Sequence, residues 1–143
     1  MRIAIGSDHG GYQLKEALIS YLKKNAHNAI DAGPFNDESC DYPDFAGRVV
    51  KLILTKRVKM GILICKSGLG MSMAANRYKK IRAALCFNNQ MAASARQHND
   101  ANILVLGAKY VTESSARQIA GTFIKTKFLG GRHARRVKKL DKI

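Results

Sequence analysis

At 143 residues and 46% hydrophobic composition, the chain has room for one sheet with its covering helices, which excludes extensive disorder and several domains. No apolar run approaches the ~20 residues of a membrane span, and three cysteines without a CxxC pair argue against a disulfide framework or zinc finger and for reduced thiols in a cytoplasm. The formal charge of +15 would suit a nucleic-acid binder, but the cations are spread along the chain apart from a denser run from Lys125 to Lys142. No aromatic-interleaved, helix-turn-helix or zinc-knuckle pattern accompanies them, so nucleic acid is not the expected partner.

The N-terminal MRIAIGSDHG lacks a basic stretch ahead of a long apolar core and reads as a first strand around Ile3–Ile5 rather than a signal peptide. Leu14, Ala17, Leu18, Tyr21 and Leu22 recur with helical period. Residues 28 to 31 suit a brief second strand ended by Gly33-Pro34, and Phe45, Val49, Leu52 and Ile53 mark a second helix after Pro43. GILIC, Gly61 to Cys65, is a continuous apolar run that suits a central parallel strand. A glycine loop and a helix from about Met71 follow. Residues 82 to 86 suit a fourth strand, 89 to 97 a short helix, and Ile103 to Gly107 a fifth strand. Thr112 is a plausible cap for a helix to about Lys125, and a basic helix starts near Arg132. This alternation predicts an α/β fold: one domain over residues 1–143, a doubly wound, Rossmann-like parallel sheet of five strands with helices on both faces, closed by the basic helix.

Ligands of such folds bind beyond the carboxyl ends of the strands. Those ends hold Ser7-Asp8-His9-Gly10-Gly11, Cys65-Lys66-Ser67-Gly68-Leu69-Gly70 and Gly107-Ala108-Lys109, and the polar segment Gln97-His98-Asn99-Asp100 just before the fifth strand is grouped with them. Backbone N–H groups in a glycine-rich turn ahead of a helix favour negative charge at one spot, whether a phosphate or a developing enolate. The same glycines also suit a tight strand-to-helix turn, and the loop is not a P-loop because no GK[ST] follows them. Cys65 ends its strand facing this loop, with Lys66 beside it, a setting that favours a thiolate base over a buried hydrophobe. Cys40 and Cys86 have no comparable setting. His9 and His98 lie in polar sequence next to carboxylates and amides, whereas His27 sits on a connection and His133 in the basic tail needs no role. Arg132 and Arg136, four residues apart, share a helix face and could grip one anion, although a solvated basic helix is the commoner fate of such a charge run.

Five stretches taken together resemble the ribose-5-phosphate isomerase B family, which also includes the two subunits of galactose-6-phosphate isomerase. They are IAIGSDHGGYQLKEAL, DYPDFA, GILICKSGLGMSMAANRYKKIRAALC, SARQHNDANILVLG and GGRHARRV, in family order from about residue 2 to residue 137. The resemblance implies an aldose–ketose isomerase working through an enediolate without metal or cofactor. It implies that His98 opens the sugar ring, that Cys65 moves the proton between neighbouring carbons, and that Ser67 assists transfer between the oxygens. The N–H groups of Lys66, Ser67, Gly68, Leu69 and Gly70, with Asn99, would hold the enediolate charge. Asp8 and Tyr42 would contact the sugar, and His9, Arg132 and Arg136 the phosphate, with Lys109 nearby. It further implies a homodimer, or a tetramer built from it, in which Cys65 and its loop come from one subunit and His98, Asn99, Arg132 and Arg136 from the other.

Two positions depart from the family pattern. Lys66 stands where the family has glycine, and in a left-handed conformation it would cost roughly 1 kcal/mol. Ser67 stands for threonine and keeps the hydroxyl. Ribose 5-phosphate is the expected substrate. A six-carbon phosphate (galactose or allose 6-phosphate) and an inactive basic binding protein on the same fold are the alternatives, and intact Cys65, Ser67 and His98 argue against the last.

Overall fold

A computed structural model describes residues 1–143. Strands β1 (Arg2–Ser7), β2 (Asn28–Asp31), β3 (Met60–Cys65), β4 (Ala83–Leu85) and β5 (Ile103–Gly107) alternate with helices α1 (Tyr12–Lys24), α2 (Tyr42–Leu54), α3 (Leu69–Ala75), α4 (Asn89–Asn99) and α5 (Glu113–Lys125). A last helix, α6 (Arg132–Leu140), follows, and a single 3-10 turn at His9–Gly11 joins β1 to α1. All pairings are parallel, in the order β2-β1-β3-β5-β4. The doubly wound sheet of five strands is therefore as the alternation predicts. No helix is long and apolar enough to cross a membrane.

The central strand is buried along its whole length, and its side chains alternate between two cores, as the pleat requires. Ile62 and Ile64 join Ile3, Ile5, Leu18, Leu104 and Phe123 under α1, α4 and α5. Leu63 and Cys65 join Ala4, Phe45, Val49 and Met71 under α2 and α3. The sheet is thus covered on both faces.

Local chemistry sets the helix starts. Asn88 accepts the Met91 N–H at 2.8 Å to open α4. Thr112 and Ser115 cap α5 reciprocally, each side chain taking an N–H from the other's backbone. At the far edge, Lys15 is fully buried and bonded to Asp31 at 2.7 Å and Glu16 at 2.6 Å. A buried ammonium needs such partners, since removing one would leave the other charged and unsolvated. The other oxygen of Asp31 takes the Gly33 N–H at 2.8 Å, and the Gly33 carbonyl takes the Ser7 N–H at 3.0 Å. The end of β1 is held in place by that chain of contacts.

Candidate functional site

The strand order reverses between β1 and β3, so a crevice opens beyond their carboxyl ends. Glycine lets the segments there approach one another closely. A Cβ on Gly11 would lie 2.7 Å from the Ile64 carbonyl oxygen, and one on Gly107 would lie 2.4 Å from that of Ser67. The β5 ladder also runs past its last residue: the Ala108 N–H donates to Cys65 O and the Lys109 N–H to Lys66 O, both at 2.9 Å. The loop after Cys65 is therefore fastened to the sheet on one side and faces the 3-10 turn on the other.

Inside this frame Cys65 is 5% exposed, and the Gly68 N–H donates to its Sγ at 3.1 Å. That places the positive end of an amide dipole on the sulfur. Gly68 has φ of +79°, a conformation that suits glycine and turns its N–H back toward Cys65. Leu69 N–H donates to the Ser67 hydroxyl at 3.3 Å. The N–H groups of Lys66, Ser67 and Gly70 donate to no protein group and remain available around the sulfur. The Tyr42 ring lies over Gly70, where a Cβ would come within 2.7 Å of Cζ, so Tyr42 closes one side of the loop. Asp8 is buried, and one carboxylate oxygen takes the Gly11 N–H at 3.1 Å; the second has no protein partner. His9 is exposed, with Nδ1 3.3 Å from both the N–H and the carbonyl of Cys40.

Two expectations need correction. Lys66 is absent from the residues with positive φ, so it carries no left-handed strain; the loop's left-handed position is Gly68 instead. With seven residues α3 is short, and the loop's own N–H groups, rather than a helix dipole, supply the positive field.

The second correction concerns His98 and Asn99. They form the last turn of α4 rather than a loop beside Cys65. Helix α4 leads into the amino end of β5, where Ile103 pairs with Gly61, while Cys65 pairs with Gly107 at the other end. Four residues of strand, about 13 Å, separate those levels. His98 and Asn99 are exposed at the amino end of the sheet, where α6 packs against α4. The imidazoles of His98 and His133 stack at 4.5 Å with 16° between planes, and Arg132 and Arg136 are exposed on α6. His133 has its pKa lowered from the ordinary 6.5, by desolvation first and then by His98, Arg132 and Arg136.

The candidate residues therefore fall into two groups at opposite ends of the sheet. Asp8, His9, Tyr42, Lys109 and residues 65 to 70 stand at the carboxyl end; His98, Asn99, Arg132 and Arg136 stand at the amino end. Sequence reading missed the contacts that hold the second group, which run through Arg82, Arg96, Asp100 and Asp141. Arg96 and Asp100 are four residues apart and locally legible, whereas Arg82 and Asp141 are far apart in sequence and only long-range pairing could reveal their contact. Burial pushes the Cys86 thiol up to about 11, which keeps it protonated and inert. No three of the His, Cys, Asp and Glu side chains gather as a metal site.

Comparison with known proteins bears on the family and the fold. The ribose/galactose isomerase family pattern matches residues 3–140. A ribose 5-phosphate isomerase crystal structure from Thermotoga maritima superposes with a TM-score of 0.98 at 49% identity, covering 99% of this chain and 98% of that one. Ribose-5-phosphate isomerase B from Clostridium thermocellum gives 0.98 at 48% identity, covering 99% and 96%. The ribose-5-phosphate isomerase B of Escherichia coli is 37% identical over 142 residues, 99% of this chain and 95% of its own length.

Proposed function

The chain belongs to the ribose/galactose isomerase family, and from that premise we propose that it interconverts D-ribose 5-phosphate and D-ribulose 5-phosphate through an enediolate, as a cytoplasmic homodimer with two composite sites. The observation that carries this reading is the Cys65 sulfur, which accepts the Gly68 N–H at 3.1 Å beside three backbone N–H groups that have no acceptor of their own. A proton next to a carbonyl leaves only if the charge it releases is caught as it forms. Here the base and the charge trap belong to one loop fastened to the sheet.

In the proposed reaction His98 exchanges a proton with the ring oxygen and opens the sugar. The Cys65 thiolate takes the proton from C2, the electron pair moves toward the C1 carbonyl, and the enediolate oxygens rest on the N–H groups of residues 66 to 70 and on Asn99. The thiol returns the proton to C1, while the Ser67 hydroxyl carries one between O2 and O1. Asp8, through its unpaired oxygen, and Tyr42 orient the hydroxyls. His9, Arg132 and Arg136 bind the phosphate, with Lys109 beside His9. Fixed guanidinium groups four residues apart suit a dianion.

Two subunits are needed because of the separation described above. One chain presents Cys65 at one end of the sheet and His98 at the other, so a substrate of sugar size cannot touch both. A symmetric dimer that sets the amino end of one chain against the carboxyl end of its partner makes two equivalent sites. The experiment is to mix inactive Cys65→Ala and His98→Asn variants after dissociation and reassociation. Random pairing makes about half the dimers mixed with one good site of two, so about a quarter of wild-type activity returns. No recovery despite proven subunit exchange contradicts the composite site. Initial rates on ribose 5-phosphate against allose 6-phosphate test the substrate, and a faster six-carbon reaction would replace it.

A further inference from the structure

Helix α6 carries two arginines of the proposed phosphate grip, yet its own sequence holds it weakly. It has nine residues and none of them is buried, and isolated helices shorter than ~12–15 residues are marginal in water. Arg132, Arg135, Arg136, Lys138 and Lys139 repel one another along it. Something outside the helix must fix where Arg132 and Arg136 stand.

Its amino end is fixed by the His133–His98 stack and by the preceding Leu129, whose N–H donates to Gln97 O at 3.1 Å. Its carboxyl end is fixed by charge. After Glu113 the sequence has a single carboxylate, Asp141, and it accepts from Arg82 at 2.7 Å. The same guanidinium reaches Asp100 twice, at 3.2 Å to the carboxylate and 3.0 Å to the carbonyl. Asp100 closes α4 with φ of +45°, and its other oxygen takes Arg96 at 2.8 Å. Arg96, itself buried, also donates to Ala101 O at 2.7 Å and Thr126 O at 3.3 Å. An unbroken relay thus runs from the residue after Asn99 to the residue after α6.

We propose that Asp141 is a positioning residue for the sugar phosphate: through Arg82 and Asp100 it locks α6 to the end of α4, so that Arg132 and Arg136 stand at a set distance from His98 and Asn99. The relay touches no substrate. It sets the spacing between the phosphate grip and the ring-opening histidine, and so it governs how well the phosphate end is held. This rests on the isomerase reading above, with α6 as the phosphate grip.

The test is steady-state kinetics on ribose 5-phosphate for Asp141→Ala, Asp141→Glu and Arg82→Lys, with Arg132→Ala as reference. Asp141→Ala is expected to raise KM about fivefold with kcat within about twofold, since a misplaced binding group weakens holding without touching the proton-transfer base. Asp141→Glu restores most of the loss. Arg82→Lys, which keeps the charge but loses the fork that spans both carboxylates, raises KM as Asp141→Ala does. The double variant is no worse than the worse single one, as expected for one shared interaction. Arg132→Ala raising KM while Asp141→Ala leaves it unchanged, or only lowers the melting temperature, overturns the relay and spares the isomerase reading. Arg132→Ala leaving KM unchanged removes α6 as the phosphate grip, and the relay with it. Additive effects of Arg82→Lys and Asp141→Ala also overturn it.

Discussion

The two ends of the sheet solve opposite problems with different materials. The carboxyl end is made of backbone: Gly11, Gly68 and Gly107 let β1, β3 and β5 meet within contact distance, and the key donors are main-chain N–H groups around the buried Cys65. The amino end is made of side chains: exposed His98, Asn99, Arg132 and Arg136 on helices held by ion pairs and one aromatic stack. Main-chain donors fixed in a sheet need no reorganisation when charge develops, which suits the proton-transfer step. Charged side chains on helices can meet a dianion arriving from solvent, which suits capture of a phosphate. On the proposed reading, proton transfer between the carbons falls to the rigid end, and ring opening with the arginine grip on the phosphate falls to the adaptable one.

Cys65→Ala breaks this contrast most sharply, because it removes the proposed base and changes nothing in the loop but the acceptor of the Gly68 N–H. Turnover should fall by about 10²–10⁴-fold, the range for a positioned acid–base group, with KM little changed. Cys40→Ala and Cys86→Ala should act near wild type in the same initial-rate assay. Near-normal turnover for Cys65→Ala would end the assignment of carbon-to-carbon proton transfer to the carboxyl end.

Lys66→Gly sharpens the comparison at smaller scale. With Lys66 outside the left-handed region and its Cβ beside Gly10, glycine brings only extra freedom to the unfolded chain. Stability should fall by about 0.5–1 kcal/mol, read as a lower denaturant midpoint with unchanged slope. A stabilised variant would mean that the lysine is strained in solution.

The smallest effect belongs to the amino end. The unfolded His133 titrates near the ordinary 6.5 and the folded one below it. As pH falls through about 6.5 the unfolded chain binds more protons, so stability declines on the acid side and is fully present above that value. His133→Gln should flatten the fall in melting temperature between about pH 7 and pH 5. An unchanged slope would show that the protonation of His133 is not coupled to folding.

Sequence made the fold legible because each element carries its own period or cap. β2, β5 and the Thr112 cap stand where alternation and side-chain type place them, while β3 starts one residue earlier than expected and β4 is one residue shorter at each end. The carboxyl-end site was legible for the same reason: Cys65 and its glycines are contiguous, so one loop holds the pattern. The amino-end site was not. His98 reads as a strand-end residue when only its neighbours are considered, and it takes the parallel crossover to put the end of α4 at the far side of the sheet. The Arg82–Asp141 contact is beyond local reading altogether, since nothing between the two residues marks them as a pair. Family resemblance supplied the grouping that local pattern lacked, with the two halves assigned to different subunits.

The opposition of the two ends has a consequence for quantity. On the composite-site reading a lone chain holds two halves that never meet, so catalytic capacity follows the number of pairs and not the number of chains. Well below the dissociation constant of the pair, the concentration of working sites grows with the square of the protein concentration, and above it in simple proportion. Doubling a scarce supply of the protein would then roughly quadruple the flux it carries. The geometry of one sheet thereby makes the response to abundance steep when the protein is rare and linear when it is plentiful.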